Sequence, residues 1–365
     1  MPLIIGGGRV PPRWAAKKGS HQAKSVESRG KRAECLKLAL INNMPDSALE
    51  DTEAQFFQLL DTVAGDIPVG VELYSLPKLP RSDRAQRHLS NFYDDFDNLW
   101  NKRFDGVIVT GTEPRQPNLP DEPYWPALVD VLDWAEHNTA STVLSCLAAH
   151  AGVLYSDGIE RYSLNDKQFG VFDYEKAGCH PLTTNTPDVI RIPHSRWNEV
   201  REDALTSCGY VVLTRSPKAG VDLFAKEKGR SLFVHFQGHP EYEGQTLLKE
   251  YRRDIRRFLR GERETYPSMP KGYFDSRATE LLTEFRETVV SDRREDLIAL
   301  FPDSIAETLQ NSWHSSATCV YRNWLQYMVS KTADASVFPA MTVVPENVRR
   351  KQPVSVARKR ARSRE

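Results

Sequence analysis

The chain has 365 residues, 40% of them hydrophobic and 27% charged, which is ample for the core of one large or two modest domains. Its longest apolar runs, such as 106–110, have strand length and fall far short of the roughly 18 residues a spanning helix needs, so no membrane span is expected. Forty-nine basic residues balance 49 acidic ones, but the charge is uneven: both ends are basic and the body between them is acidic.

The first segment carries Arg9, Arg13, Lys17, Lys18, Lys24, Arg29, Lys31 and Arg32 against only Glu27 and Glu34. It has little apolar periodicity, so residues 1–35 are expected to be a disordered basic extension. The opening residues lack the basic and long apolar regions of a signal peptide. From residue 36 the pattern changes. An apolar strand over 36–43 leads into Met44-Pro45 and then a helix around 53–60 with acidic residues in its first turn. Strands over 70–76 and 106–110, a helix over 124–137 and a strand over 141–145 continue the alternation, with a further helix after Cys146. Helices between apolar strands imply an α/β fold with a doubly wound, largely parallel sheet flanked by helices. Ligands in such sheets bind outside the carboxyl ends of the strands, where Asn43, Gly111-Thr112, Cys146 and His239 fall. Short strands and turns follow residue 169, then a strand over 231–236, a helix over 245–260 and a last helical stretch over 308–330. The tail over 331–365 holds Arg349, Arg350, Lys351, Arg358, Lys359, Arg360, Arg362 and Arg364 and is expected to be disordered. The folded domain is therefore expected to span 36–330. The basic ends contain almost no interleaved aromatics, which favours solvated tails over nucleic-acid binding.

The most informative stretch is Ser141-Thr-Val-Leu-Ser-Cys-Leu-Ala-Ala149. A strand that runs straight into a helix forces a sharp turn, and the turn residue, Cys146, projects at the sheet edge where a helix N-terminus favours a thiolate. A second strand ends in Gln237-Gly-His-Pro-Glu241. In extended backbone His239 and Glu241 share a face. A cysteine nucleophile needs a base, and the base needs a third group to fix its tautomer, so Cys146, His239 and Glu241 fill nucleophile, base and orienting roles in that order. Cys35, Cys146, Cys179, Cys208 and Cys319 lack paired spacing, which argues for a reducing cytoplasm and against disulfides or a metal site.

The segments Asn43-Met-Pro45, Phe104-Asp-Gly-Val-Ile-Val-Thr-Gly111, Tyr124-Trp125, Phe169-Gly-Val-Phe172, Pro193-His-Ser-Arg196, Gly238-His-Pro-Glu-Tyr242, Gln245-Thr-Leu247, Arg253-Asp254 and Asn323-Trp-Leu325 occur in order. Together they resemble the homoserine O-acyltransferases of the succinyltransferase type, which have a class I glutamine amidotransferase-like fold. The resemblance implies acyl transfer from an acyl-coenzyme A to the hydroxyl of homoserine in methionine synthesis, with no cofactor beyond that co-substrate. It implies Cys146 as the acylated nucleophile, His239 as base, Glu241 as its partner, Arg253 on the amino acid's carboxylate, and Lys167 and Ser195 in the site. The backbone N–H groups of Leu147 and Thr112 would form the oxyanion hole. Family members of this kind lead us to expect a cytoplasmic homodimer. Three stretches depart from the family pattern: Asp46-Ser47 replaces lysines, Thr112-Glu-Pro-Arg-Gln116 replaces the loop tied to donor choice, and Leu147-Ala-Ala-His150 replaces Trp-Gly-Ala-Gln. In the second, Arg115 would pair with the free carboxylate of a succinyl donor, which favours succinyl over acetyl. The departures leave serine or another hydroxy amino acid as alternative acceptor. A glutaminase-type amidotransferase and a non-catalytic binding protein on the same fold are the other readings.

Overall fold

The computed structural model describes residues 3–6, 9–18 and 35–335. Eight strands form the main sheet in the order β1 (Ile4–Ile5), β3 (Val69–Tyr74), β2 (Leu36–Ile41), β4 (Gly106–Val109), β5 (Ser141–Ser145), β12 (Ser231–Phe236), β11 (Leu223–Lys228) and β8 (Val211–Val212). The pairings from β1 to β12 are all parallel, and the last two are antiparallel. The expected largely parallel sheet is thus present, with an antiparallel margin.

The strands are apolar throughout because both faces are covered. In β2, Leu38 and Leu40 enter a layer with Phe56 and Phe57 of α2 (Leu49–Ala64) and with Trp324 and Met328 of α9 (His314–Ala335). Ala39 and Ile41 point the other way, into a layer with Leu128 and Trp134 of α4 (Trp125–Asn138). Helix α5 (Leu147–Asp157) follows β5 without a connecting loop.

A second, four-stranded antiparallel sheet has the order β10 (Gly220–Val221), β9 (Thr214–Ser216), β6 (Tyr162–Lys176) and β7 (Ile190–Glu199). The sequence suggests only short strands here. The long β6–β7 ladder escapes notice because its register shifts between Ser163 and Gln168, and its outer half is polar and exposed. Short α6 (Glu202–Ser207) links β7 to β8. Helix α7 (Thr246–Leu259) then packs with α8 (Ser276–Ser291) in a separate apolar cluster around Tyr251, Phe258 and Phe285. Helices α3 and α8 are among those with no counterpart in the expectations. Helix α3 (Asp83–Phe92) buries only Ala85 and His88, so it lacks an apolar stripe. Helix α8 does have one, in Ala278, Leu282, Phe285 and Val289, and Asp275 caps it through the Ala278 N–H at 2.7 Å.

The expectation of an unpacked extension over 1–35 differs from the structure where that segment is described. Ile4–Ile5 pair with β3, and helix α1 (Pro12–Lys18) docks on α2. Trp14 is 2% exposed, with its ring 5.9 Å from that of Phe57. Arg13 pairs with Asp51, and Lys17 pairs with Glu243. One buried indole with acidic partners across the interface holds this basic helix, without any apolar periodicity. The tail beyond Ala335 lies outside the described residues. Among the described residues no helix is long and apolar enough to cross a membrane.

Candidate active site

Cys146 sits between β5 and α5 with φ 54° and ψ −114°. That backbone region is costly for a non-glycine residue, and such strain persists where the surroundings fix it. Here the Cys146 N–H donates to Phe236 O at the end of β12 (2.8 Å), and its carbonyl accepts from the Ala149 N–H (3.0 Å). The expected strand-to-helix turn is present, and it aims the thiol away from the sheet. The loop after β4 is pressed against the same turn: a Cβ built on Gly111 would lie 2.9 Å from the Leu147 nitrogen. This sets the Gly111–Thr112 backbone beside the first N–H of α5. A narrow recess opens there, lined among others by Thr110, Thr112, Tyr124, Leu147 and Ala148.

His239 lies 93 residues downstream of Cys146, and the parallel pairing of β5 with β12 is what brings the C-terminal ends of their strands side by side. Its Nδ1 is 2.9 Å from Glu241 Oε1, its ring stacks on Tyr242 at 4.3 Å, and Cys146 lies within its electrostatic reach. Burial pulls the His239 pKa down, but Cys146 and Glu241 outweigh it and hold the imidazole well above its ordinary value. With Nδ1 on Glu241, Nε2 is left for the thiol.

Lys167, Ser195 and Arg253 also come together, around two acidic side chains of α7: Asp254, which the sequence reading quotes without a role, and Glu250, which it misses. Lys167 Nζ lies 3.3 Å from Asp254 and 3.6 Å from Glu250. Arg253 directs Nε and Nη2 to Asp254 Oδ1, both at 3.1 Å, and Nη2 is 3.8 Å from Glu250. The Ser195 hydroxyl donates to one oxygen of Glu250, and the Tyr242 hydroxyl donates to the other at 2.6 Å. Tyr242 thus joins this cluster to His239. Glu250 has no local sequence signature, because its partners come from β6, β7 and the loop after β12.

Arg115 stands apart. Its side chain is exposed, and its backbone N–H is tied to Glu122 Oε1 at 2.5 Å. The half-buried cation on that side is Arg161, within electrostatic reach of Cys146, Glu122 and Tyr124, with Nη2 3.4 Å from Pro117 O. Nothing in its neighbourhood, Gly158-Ile-Glu-Arg161, marks it in the sequence. The other departures are absorbed by the scaffold. Asp46 accepts from Ser82 N–H at 2.7 Å and pairs with Arg81. His150 is buried against Gln237 Oε1 at 2.9 Å, and burial drives its pKa down to about 3. Asn43 is consumed by Thr110 and Leu76. Among the described residues no cluster of His, Cys, Asp and Glu could hold a metal ion.

The family model for homoserine O-succinyltransferase matches residues 16–335. A homoserine O-succinyltransferase of Methylorubrum extorquens is 45% identical over 303 residues, covering 82% of this chain and 89% of the relative. One from Rhodopseudomonas palustris is 43% identical, covering 83% and 91%. Among solved structures, a glutamine amidotransferase from Thermotoga maritima aligns over 81% of this chain and 99% of its own at 11% identity, with a TM-score of 0.42.

Proposed function

Since the chain belongs to the homoserine O-succinyltransferase family, and so is a transferase, we propose that it moves the acyl group of an acyl-coenzyme A, preferably succinyl, to the hydroxyl of L-homoserine through a thioester on Cys146. The observation that carries this reading is the Cys146 turn facing a buried His239 whose Nδ1 is held by Glu241.

In the first half-reaction His239 takes the thiol proton, and the Cys146 sulfur attacks the thioester carbonyl. The tetrahedral oxyanion lies against the Leu147 N–H and the Gly111–Thr112 turn. Its collapse expels the coenzyme A thiolate, which takes a proton from His239. In the second half-reaction His239 accepts the proton of the homoserine hydroxyl, whose oxygen attacks the acyl-cysteine and releases the free thiol. Lys167, Arg253, Glu250 and Asp254 present two cations and two carboxylates within one cluster, which suits a zwitterionic amino acid. Arg253 has the forked geometry for the α-carboxylate, and Glu250 complements the α-ammonium. This step belongs to methionine synthesis.

The test is incubation with succinyl- and acetyl-coenzyme A separately, followed by intact-mass measurement. A succinyl adduct on Cys146 that discharges on adding homoserine supports the reading. Absence of any adduct with either donor, or its persistence in Cys146→Ala, refutes it. Discharge by serine rather than homoserine would change the acceptor and leave the machinery standing.

A further inference from the structure

Behind the His239 turn lies a second buried carboxylate that the triad does not use. Asp222, between β10 and β11, is 0% exposed. Its Oδ1 accepts the Gly238 N–H at 2.6 Å, and its backbone carbonyl accepts the Gln237 N–H at 3.2 Å. Two successive amides ahead of His239 therefore end on one residue, while the His239 N–H goes to Pro193 O of β7 at 2.9 Å. The turn has no slack: a Cβ on Gly238 would lie 2.5 Å from Ile192 Cγ2 and 2.8 Å from Pro193 O.

The groups facing Asp222 come from four directions. From β7, His194 Nε2 is 3.6 Å away, and Arg196 binds His194 Nδ1 at 3.2 Å. From β6, the Tyr174 hydroxyl is 2.7 Å from His194 Nε2. From α9, the buried Tyr321 hydroxyl is within electrostatic reach of both Asp222 and Glu241. The turn itself supplies His239 and Glu241. His194 is held well below its ordinary pKa by burial, with Arg196 and His239 adding to the effect, so it stays neutral. The cations left to meet the Asp222 charge are His239 and Arg196. Asp222 Oδ2 and Glu241 Oε2 are both buried without a hydrogen-bond partner, so neither charge is fully quenched by donors.

We propose that Asp222 is a positioning residue for the His239 base: it pins the Gly238–His239 backbone through Oδ1 and adds a second negative charge behind the imidazole. The proposal rests on the reading of Cys146, His239 and Glu241 as a triad. Burial drives the pKa of Asp222 up to about 7, so its charge is present on the alkaline side of neutrality and acts there.

The test uses Asp222→Asn, which keeps an acceptor for the Gly238 N–H and removes the charge. The readout is the pH profile of Cys146 alkylation by iodoacetamide, followed on the Cys146 peptide by mass spectrometry, which needs no acyl donor. Deleting a negative charge lowers the pKa of every nearby acid, so the part of the profile above pH 7 should move to lower pH by about half a unit or more. An unchanged profile in the folded variant, or a move to higher pH, overturns the proposal. His239→Ala is run alongside. If it leaves Cys146 alkylation unaltered, the triad reading fails; if it alters the profile and Asp222→Asn does not, only the Asp222 proposal fails. Should Asp222→Asn not fold, Asp222→Ser removes the same charge with a smaller side chain that keeps an oxygen acceptor. A shift in the same direction is then expected, and no shift overturns the proposal.

Discussion

Substituting Gly111 by alanine tests the oxyanion site without touching a side chain. The new methyl would stand 2.9 Å from the Leu147 nitrogen, 3.1 Å from Leu147 Cβ and 3.3 Å from Ser145 O. The first contact is closer than a real Cβ tolerates, and the obstructing atom is backbone. Either the loop after β4 or the first turn of α5 must move, and these are the two sides of the proposed oxyanion site. Loss of one such donor typically costs about 10²–10³ in kcat, or about 3 kcal/mol of transition-state stabilisation. Overpacking adds a stability cost of about 1–3 kcal/mol. The assay is rapid-quench measurement of coenzyme A release without acceptor, with thermal unfolding as the control. The acylation burst should slow by about 100-fold in a variant that still unfolds cooperatively. A burst close to the parent's rate, in a folded variant, would show that the oxyanion does not sit at this junction.

Other outcomes follow from the same geometry. His239→Ala should slow acylation by about 10²–10⁴, and Glu241→Gln by less, because glutamine still orients the ring; equal losses in a rapid-quench comparison would contradict that order. Arg253→Lys should raise the KM for the amino acid while the acylation burst persists; a matching loss of the burst would place Arg253 on the donor side or in the scaffold. Trp14→Ala should lower the unfolding midpoint, by less than the about 3–5 kcal/mol of a fully buried tryptophan, because a helix of seven residues can detach locally; an unchanged midpoint would mean that α1 contributes no stability. Burial pushes the pKa of folded Asp222 up to about 7, well above the ordinary carboxylate range, so the folded state holds the proton that the unfolded chain releases first. The parent should therefore lose stability relative to Asp222→Asn as pH rises from 4 to 7, in denaturant titrations across that range, and a constant difference would contradict the burial argument.

The placement of Cys146, and of His239 and Glu241 a few residues past β12, at one edge of the sheet was legible because an apolar run that stops abruptly dictates the turn after it. The parallel sheet was legible for the same reason. Glu250, Arg161 and Asp222 were not. Each acquires its meaning from partners on other elements, as Glu250 does from Ser195 of β7 and Tyr242 after β12, and no spacing rule reports such convergence. The charge argument misread the N-terminal segment: Arg13 and Lys17 look like solvated tail until Asp51 and Glu243 are seen opposite them. Arg115 illustrates the opposite error. Its chemistry suits a succinyl carboxylate, but the loop that carries it is anchored through Glu122 with the side chain in solvent, and the cation within electrostatic reach of Cys146 is Arg161.

The main sheet closes at both margins on strands of two residues, Ile4–Ile5 and Val211–Val212. A margin that short offers little unpaired backbone for another chain to extend, which guards against intermolecular β-pairing. The protection on one side is supplied by the first few residues. Trimming the chain to the boundary that composition suggests would uncover β3, six residues long and apolar at Val69, Val71 and Leu73. Shortened versions should therefore self-associate at concentrations where the full chain does not.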